Sequence, residues 1–454
     1  MKKLLLATAC LFLGSNALAQ ETAPPGEVMK LYDIAVAPSA ERIVADTQTL
    51  VDFGTRHTLS ETESDTRGIG AARRWIYDEF RKISAECGGC LEVIYVSDFV
   101  EGETRIPERT EVVSVLAIQR GTLDPNRFVV MSGDIDSRVT DPMNATDDSP
   151  GANDNASGMA GTIEAARILS KYEFPGSIIY AGLAGEEQGL FGGKIVAAHA
   201  LEKGWEIKAV LNNDMISNIA GIDGVIDNTT ARVFSEGTRA TETPEEARLR
   251  RFTGGEVDSP SRNLARYIDR MADQYLTNLD VMMVYRLDRY RRGGHHRPFN
   301  DAGMPGVRIM ETHEHYDRQH QDLRTEGGRI YGDTMDGVDG DYAAKLTALN
   351  MVSLAGMAGA PPFPANVEAQ GAVSPSATLT WERPSGKAAR NLAGYRVYWR
   401  LTTEPTWTHS RYVGDVSAYT FENLVIDNYY FGVAAVAEDG SETPVVFPGP
   451  AGRF

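Results

Sequence analysis

Short apolar runs alternate with segments of helical periodicity over the first three quarters of the chain. Residues 127–133, 177–184 and 207–211 are short, continuous and apolar, which is typical of buried strands. Residues 159–169 and 190–201 lie between these runs and have the spacing of helices. Strands that alternate with helices predict an α/β domain with an open sheet. In such sheets, ligands bind at the edge where the strands end.

The pattern changes near residue 360. Residues 342–357 have the spacing of a closing helix, and a Pro-rich joint then ends it. Beyond the joint, short alternating strands predict a small all-β sandwich, at residues 377–381, 394–399 and 430–436. Trp381 and its surroundings resemble a fibronectin type III domain. We therefore predict a main domain over residues 20–360 and a β-sandwich over 361–454, which acts as a spacer or binds a surface or polymer.

Residues 221–257 have a different composition from their surroundings. They are rich in Gly, Thr, Glu and Arg and show no clear apolar period. We expect this segment to form an excursion over the ligand-binding edge of the sheet.

Acidic residues follow the predicted strands. Asp134 and Asp136 end the first strand, Glu186 and Glu187 follow the second, and Asp214 follows the third. Neighbouring carboxylates repel each other, and a cation or a proton between them relieves the repulsion. Taken singly, each acid has a plainer interpretation as a cap, a turn residue or a solvated helix start. Together they indicate one site.

Five motifs in this order resemble the secreted zinc aminopeptidase family of the MH clan. This family of co-catalytic zinc exopeptidases is related to glutaminyl cyclases and glutamate carboxypeptidases. The resemblance runs from about residue 47 to 357. The motifs are GANDNASG at 151–158, GEEQGLFG at 185–192, LNNDMIS at 211–217, HHRPFNDAGMPG at 295–306 and YDRQHQD at 316–322. The implied fold is a mixed, mainly parallel sheet flanked by helices in three layers.

The resemblance implies two zinc ions and a role for each matching residue. Glu186 is the implied general base or acid, which moves the proton of a water activated by the metal. Asp136 orients the ligand two residues before it, and His296 and Tyr316 lie near the substrate or support the ligands. The implied metal ligands are Asp134, Asp154 as a bridge, Glu187, Asp214 and His320.

Two positions depart from the family pattern. Asp134 stands where the family usually has a histidine, and aspartate is a harder ligand that favours other divalent ions more than imidazole does. Either Asp134 binds the first ion in that place, or the site is weak and the enzyme uses one ion. His295 stands where the family commonly has aspartate; it is a surface residue, a group that supports a ligand or a replacement ligand, and of these we expect a surface residue. His313 and His315 lack the spacing of a His-Glu-x-x-His zinc motif.

The motifs lead to one main functional hypothesis and two alternatives. The main hypothesis is a metal-dependent exopeptidase, most plausibly an aminopeptidase that acts on peptide or protein substrates. The alternatives are a glutaminyl cyclase-like acyltransferase with a single zinc and a relative that binds peptides without catalysis. Retention of Glu186 beside Glu187 argues against the last of these.

The ends and the composition bear on location and partners. Residues 1–19 have the basic start, apolar run and Ala-x-Ala end of a signal peptide, which predicts a secreted or periplasmic protein. A net charge of -18 argues against nucleic acid as a partner. No later stretch reaches the ~20 apolar residues that a membrane span needs, so we expect no membrane insertion. Cys87 and Cys90 are the cysteines left after processing, and outside the cytoplasm we expect them to form a disulfide.

Overall fold

The computed structural model describes residues 23–454. The predicted signal peptide at residues 1–19 lies outside the described residues. Among residues 23–454, no helix combines the length and the apolar character needed to cross a bilayer.

The first part of the chain is an α/β domain. Its helices are α1 Met29–Ala35, α2 Ala40–Asp52, α3 Gly68–Glu86, α4 Gly158–Leu169, α5 Phe191–Glu202, α6 Pro244–Thr253, α7 Pro260–Tyr275, α8 His296–Asp301 and α9 Gly340–Gly359. Its main strands are β1 Leu91–Val100, β2 Thr110–Gln119, β3 Asp124–Asp134, β4 Gly176–Leu183, β5 Glu206–Asn213, β6 Thr230–Ser235, β7 Asp280–Val284 and β8 Gly306–Glu311. A small hairpin, β9 Arg324–Glu326 and β10 Arg329–Tyr331, follows them.

The main strands form one mixed sheet in the order β1-β2-β4-β3-β5-β8-β6-β7. The four central strands β4, β3, β5 and β8 are parallel to one another. β2 runs antiparallel to β4 and to the edge strand β1, which therefore has the direction of the central strands, and β6 pairs antiparallel with β8. The prediction of a mixed, mainly parallel sheet is therefore confirmed.

Helices cover both faces of this sheet. Along β4, Ile178 and Tyr180 face one core and Ile179 and Ala181 face the other, so the strand is buried on both sides. The first core contains side chains from α3, α4, α7 and α9, and the second contains side chains from α5 and α8. Burial on both faces explains why the strand sequence is continuously apolar rather than alternating.

The long helix α9 closes the domain. It begins where the side chain of Asp339 accepts a hydrogen bond from the backbone N–H of Tyr342 at 2.8 Å, and it ends at Gly359, just before Pro361 and Pro362. The sequence predicted this helix at 342–357, so each bound differs by two residues.

The expectation for residues 221–257 was wrong. The segment contains β6, which lies inside the main sheet between β8 and β7. It also contains α6, where Glu246 lies 3.7 Å from Arg453 near the C-terminus. The segment therefore completes the sheet and contacts the second domain instead of crossing the edge where the strands end.

The C-terminal domain consists of two three-stranded antiparallel sheets. Its strands are β11 Ala365–Gln370, β12 Ala377–Glu382, β13 Leu392–Leu401, β14 His409–Gly414, β15 Ala418–Phe421 and β16 Tyr429–Ala437. The sheets have the orders β11-β12-β15 and β14-β13-β16. Trp381 is buried between them, with its ring 5.2 Å from that of Tyr395. This is the predicted β-sandwich.

Buried charges join the sandwich to the α/β domain. Asp258, just before α7, is fully buried and accepts hydrogen bonds from Arg400 of β13 at 2.7 and 2.9 Å. Arg266 of α7 donates to the same carboxylate at 2.8 Å. The sandwich is thus fixed against α7 rather than held by a flexible joint alone.

The predicted disulfide between Cys87 and Cys90 is present. It closes the turn between α3 and β1.

Candidate metal centre

Three neighbouring strands bring acids to one edge of the sheet. β3 ends at Asp134, β5 ends one residue before Asp214, and the loop after β4 carries Glu186 and Glu187. Because β4, β3 and β5 are parallel neighbours, their carboxyl ends lie side by side. The sheet topology therefore assembles acids that are 80 residues apart in sequence, from Asp134 to Asp214.

Asp154 reaches the same edge from the turn Ala152–Ser157 that precedes α4. The start of α4 lies against β3 so closely that a Cβ on Gly133 would be 2.5 Å from the backbone of Gly158. Only glycine permits this approach. The backbone N–H of Asp154 donates to the carboxylate of Asp333 at 2.7 Å, which fixes the turn.

Asp154, Glu187 and His320 form a cluster in which one ligand atom from each lies within 4.8 Å of the others. The Nε2 atom of His320 is 2.9 Å from Oδ2 of Asp154 and 2.8 Å from Oε1 of Glu187. Carboxylate oxygens and imidazole nitrogen are zinc ligands, and three protein ligands leave a fourth position open for chemistry. The donor set therefore fits one zinc ion.

Two further side chains hold the cluster. Arg138 lies with its Nε 2.7 Å from Oε2 of Glu187 and its Nη2 2.7 Å from Nδ1 of His320. Gln319 donates to Oδ2 of Asp154 at 3.1 Å. Glu187 and Asp154 therefore each have a donor that fixes their orientation, as metal ligands generally require.

The charges within the cluster shift its pKa values in opposite directions. Burial alone would lower the pKa of His320, but the carboxylates of Glu187 and Asp154 raise it to about 9. Burial alone would raise the pKa of Glu187, but His320 and Arg138 lower it. The carboxylates are therefore stabilised by a positive charge at this position, which is the role that a divalent cation can take.

Glu186 lies next to the cluster with its side chain on a cavity. Its carboxylate makes no hydrogen bond to any of residues 23–454, and burial together with Glu187 and Asp214 raises its pKa well above the usual range. Asp136 accepts hydrogen bonds from the backbone N–H groups of Glu186 and Glu187, each at 3.1 Å. Asp136 thus orients these two glutamates, whereas the resemblance implied that it orients Asp134.

The structure places Asp134 outside the three-residue cluster. Its Oδ2 accepts a hydrogen bond from Nδ2 of Asn155 at 2.7 Å, and its Oδ1 is 2.6 Å from Nδ1 of His295. It does not line the cavity that contains Glu186. Burial raises its pKa to about 8. Both oxygens of Asp134 therefore have polar partners within the protein.

Asp214 also belongs to a different network. Its Oδ1 is 2.8 Å from Nη2 of Arg308, and its Oδ2 is 3.8 Å from Nη2 of Arg289. The same two arginines lie 3.6 and 3.4 Å from Oδ1 of Asp288. All four charged side chains are buried. Burial raises the pKa of Asp214 to about 7 although these arginines face it. Among residues 23–454, the residues implied for a second zinc do not come together as a second ligand cluster, so they do not fit it.

The histidines of the HHRPF motif are not where the sequence suggested. His295 was expected at the surface, and this was wrong: it is fully buried, because it lies below Gly193 of α5 and against Asp134. His296 is also fully buried, with Nε2 2.8 Å from the carbonyl oxygen of Leu287, and it does not line the cavity. Tyr316 is exposed and lies outside the cavity lining as well.

The cavity beside Glu186 has a volume of about 490 Å³. Four basic residues of its lining come from residues 289–297, and the sequence analysis gave none of the four a role. They are Arg289, Arg291, Arg292 and Arg297. The sequence signal that could have identified these four residues was the high density of arginine between residues 286 and 297.

This is therefore an α/β protein with a candidate metal centre, which three ligands form at the carboxyl ends of parallel strands. Residues 114–327, which contain the cluster and Glu186, match the family described as Peptidase family M28. Residues 360–447 match the description Fibronectin type III domain.

Relatives align over nearly the whole chain. A protein of Pyricularia oryzae named "Probable zinc metalloprotease" is 43% identical over 420 residues, which cover 91% of this chain and 83% of the relative. A similarly named protein of Leptosphaeria maculans is 41% identical over 429 residues, which cover 94% and 98%. The LapA aminopeptidase of Legionella pneumophila shares the fold, with a TM-score of 0.52 and 19% identity over 74% of this chain and 77% of that chain. The chain belongs to peptidase family M28, and its C-terminal domain is a fibronectin type III domain.

Proposed function

We propose that this protein is a secreted zinc-dependent aminopeptidase with one zinc ion per chain. The observation that carries the proposal is the cluster of Asp154, Glu187 and His320 beside the free carboxylate of Glu186. The names of the relatives, zinc metalloproteases and an aminopeptidase, support the same chemistry. The signal peptide predicted at residues 1–19 supports secretion.

The residues of the centre have separate tasks. Zinc, when bound, polarises a carbonyl group and makes a nearby water more acidic. A bound cation would offset the charges of Glu187 and Asp214 that raise the pKa of Glu186, and the ionised Glu186 would then accept the proton of the attacking water and pass it to the leaving amine. Asp136 holds the backbone of Glu186 in place through two N–H groups of the loop. Arg138 keeps Glu187 ionised and oriented.

The number of zinc ions follows from the charges around the remaining acids. The oxygens of Asp134 are bonded to Asn155 and His295, and Asp214 faces Arg308. A second ion would have to displace these buried partners and leave them unpaired, which is costly. We therefore propose one zinc, where the family resemblance implies two.

The size of the cavity supports an action on chain ends. A volume of about 490 Å³ lies within the range of roughly 300–1,000 Å³ typical of small-molecule pockets. Such a cavity accepts one or two residues at the end of a peptide, whereas a long extended segment needs an open groove.

Hydrolysis of leucyl-p-nitroanilide by the full chain tests this function. We expect release of p-nitroaniline from the free-amine substrate and none from its N-acetylated form. Activity should disappear with a chelator and return with zinc. Equal cleavage of the acetylated substrate would contradict an aminopeptidase, and metal analysis that finds two tightly bound zinc ions per chain would contradict the one-zinc centre.

The single three-ligand cluster also favours a second candidate, a glutaminyl cyclase-like reaction. In that reaction the N-terminal amine attacks the side-chain amide of glutamine and ammonia leaves. Incubation with a peptide that begins with glutamine separates the two functions, because mass spectrometry distinguishes a loss of ammonia from the loss of a residue. We expect the loss of a residue.

A further inference from the structure

Acidic residues outnumber basic residues in the whole chain, whereas basic residues outnumber acidic residues in the cavity beside Glu186. The whole sequence has 63 Asp and Glu against 45 Lys and Arg. The cavity lining has more basic than acidic side chains, with seven of the first kind and five of the second. The basic residues are Arg105, Arg138, Lys194, Arg289, Arg291, Arg292 and Arg297.

Three of the seven basic side chains already have acidic partners. Arg138 pairs with Glu187 at 2.7 Å, and Arg289 and Arg292 lie 3.2 and 2.8 Å from Oε2 of Glu314. The other four form no ion pair with any of residues 23–454. These four cations are Arg105, Lys194, Arg291 and Arg297.

Most of the acids that line the cavity cannot balance these four cations. Asp154 and Glu187 are zinc ligands under the proposed function, and Asp214 faces Arg308. Glu186 and Asp301 are the two that remain. With zinc bound, the cavity therefore has an excess of positive charge.

The unpaired cations come from several walls of the cavity. Lys194 lies in the first turn of α5, Arg297 lies in α8, and Arg291 lies in the loop before α8. Arg291 has a φ of 59°, a left-handed backbone conformation that side chains other than glycine seldom adopt. The Nε atom of Arg297 is buried without a hydrogen-bond partner in the described chain.

We propose that this cavity selects acidic peptides, namely those with a carboxylate within one or two residues of the cleaved bond. The proposal rests on the proposed function and names its substrate class. A guanidinium presents paired N–H donors that match a carboxylate. An uncharged peptide would exclude water from these cations without pairing them, whereas a carboxylate pairs them, so the acidic peptide binds more tightly.

Two sources can supply the carboxylate, the side chain of an N-terminal acidic residue or the C-terminus of a very short peptide. Two matched pairs of peptides distinguish them. Asp-Ala-amide against Asn-Ala-amide tests the side chain, and Leu-Ala against Leu-Ala-amide tests the C-terminus. We expect kcat/KM to be about 10- to 100-fold higher for the carboxylate member of at least one pair, as one charged hydrogen bond provides. Ratios near one in both pairs would overturn the proposal.

Substitution of single arginines in the cavity tests whether they cause the preference for the carboxylate peptide. In the peptide pair that shows the preference, we expect Arg291→Gln and Arg297→Gln each to lower the ratio of the two kcat/KM values by about 10-fold. The change should come mainly from a lower kcat/KM for the carboxylate peptide. Arg286→Gln is the matched control, because Arg286 is exposed in the same loop and does not line the cavity. A ratio that stays unchanged in both cavity variants would also overturn the proposal.

A binding measurement separates this proposal from the proposed function. Isothermal titration of zinc-loaded Glu186→Gln protein with the same four peptides reads the preference as a ratio of Kd values, without turnover. We expect the carboxylate peptide to bind about 10-fold more tightly. Equal Kd values would overturn the substrate class. A wild-type protein that cleaves none of the peptides would overturn the aminopeptidase function, and the Kd ratio would still decide the substrate class.

Discussion

Replacement of Arg400 by methionine tests how firmly the fibronectin type III domain is fixed to the peptidase domain. Arg400 is buried in β13, and its Nη2 donates to both oxygens of Asp258 at 2.7 and 2.9 Å. Asp258 has a second partner, Arg266 of α7, at 2.8 Å. Arg400→Met keeps a long apolar stem in the same space and removes the charge.

The expected loss of stability can be worked out from these contacts. A hydrogen bond to a charged group is worth about 1.5–3 kcal/mol, and loss of one partner of a buried ion pair costs about 3–5 kcal/mol. Arg400 also lies over the rings of Trp407 and Tyr430 at 5.1 and 4.7 Å, and methionine retains part of such contacts. Because Asp258 keeps Arg266, we expect the lower end of the range, about 3 kcal/mol.

Urea unfolding, followed by tryptophan fluorescence and circular dichroism, measures this loss. Arg411→Met is the matched control, since Arg411 is exposed in the same domain and donates only to the hydroxyl of Tyr419. Its change should stay within about 0.5 kcal/mol. The double variant with Asp258→Asn should lose less than the sum of the single losses, because the two residues share one interaction. A loss below about 1 kcal/mol for Arg400→Met would refute the assigned role of the pair.

Three further variants test two residues of the metal centre and one partly buried carboxyl group, that of Asp269. Glu186→Gln should keep its zinc and lose about 10²–10⁴-fold in kcat; zinc loss with activity restored by added zinc would reverse its role with that of Glu187. His320→Ala should bind zinc at least ~100-fold more weakly by competition with a chelator, with its circular dichroism unchanged; wild-type affinity would exclude it as a ligand. Burial and the nearby Asp273 and Asp280 raise the pKa of Asp269 to about 7. Between pH 3.8 and 7, the side chain of Asp269 is therefore protonated in the folded state and ionised in the unfolded state. The free energy of unfolding falls as the pH rises through this window. Asp269→Asn should raise the melting temperature at about pH 8 and leave it unchanged at about pH 3.5, and an equal change at both values would contradict the shift.

Much of the scaffold could be predicted because its signals are local. The runs that became β3, β4 and β5 are apolar over their whole length, since both faces of the central sheet are covered. Once these strands are parallel neighbours, the acids after them must meet, and Glu186 and Glu187 could be placed from this rule. The change from helical to alternating periodicity predicted the sandwich for the same local reason.

The parts that could not be predicted depend on contacts between distant segments. Arg308 lies in β8 and pairs with Asp214, which is 94 residues away, and nothing in the local pattern signals this pairing. His295 was expected at the surface, yet it is fully buried and contacts Asp134, which is 161 residues away. The strand β6 was missed because Arg232 and the polar residues around it mask its apolar positions, Ala231 and Val233.

These unpredicted contacts determine how many zinc ions the centre can hold. Asp214 and Asp288 already form a buried set with Arg289 and Arg308, and Arg289 also lies 3.2 Å from Glu314, so a zinc ion placed there would lie against two buried cations. Arginine does not lose its proton in proteins, so the set cannot adjust by titration of its cations. By contrast, the carboxylates of Asp154 and Glu187 are balanced by a protonated His320, which gives up its proton when a metal binds its nitrogen. The cluster of Asp154, Glu187 and His320 can therefore exchange a proton for zinc, whereas the arginines beside Asp214 cannot, and this difference is the physical basis of the proposed one-zinc centre.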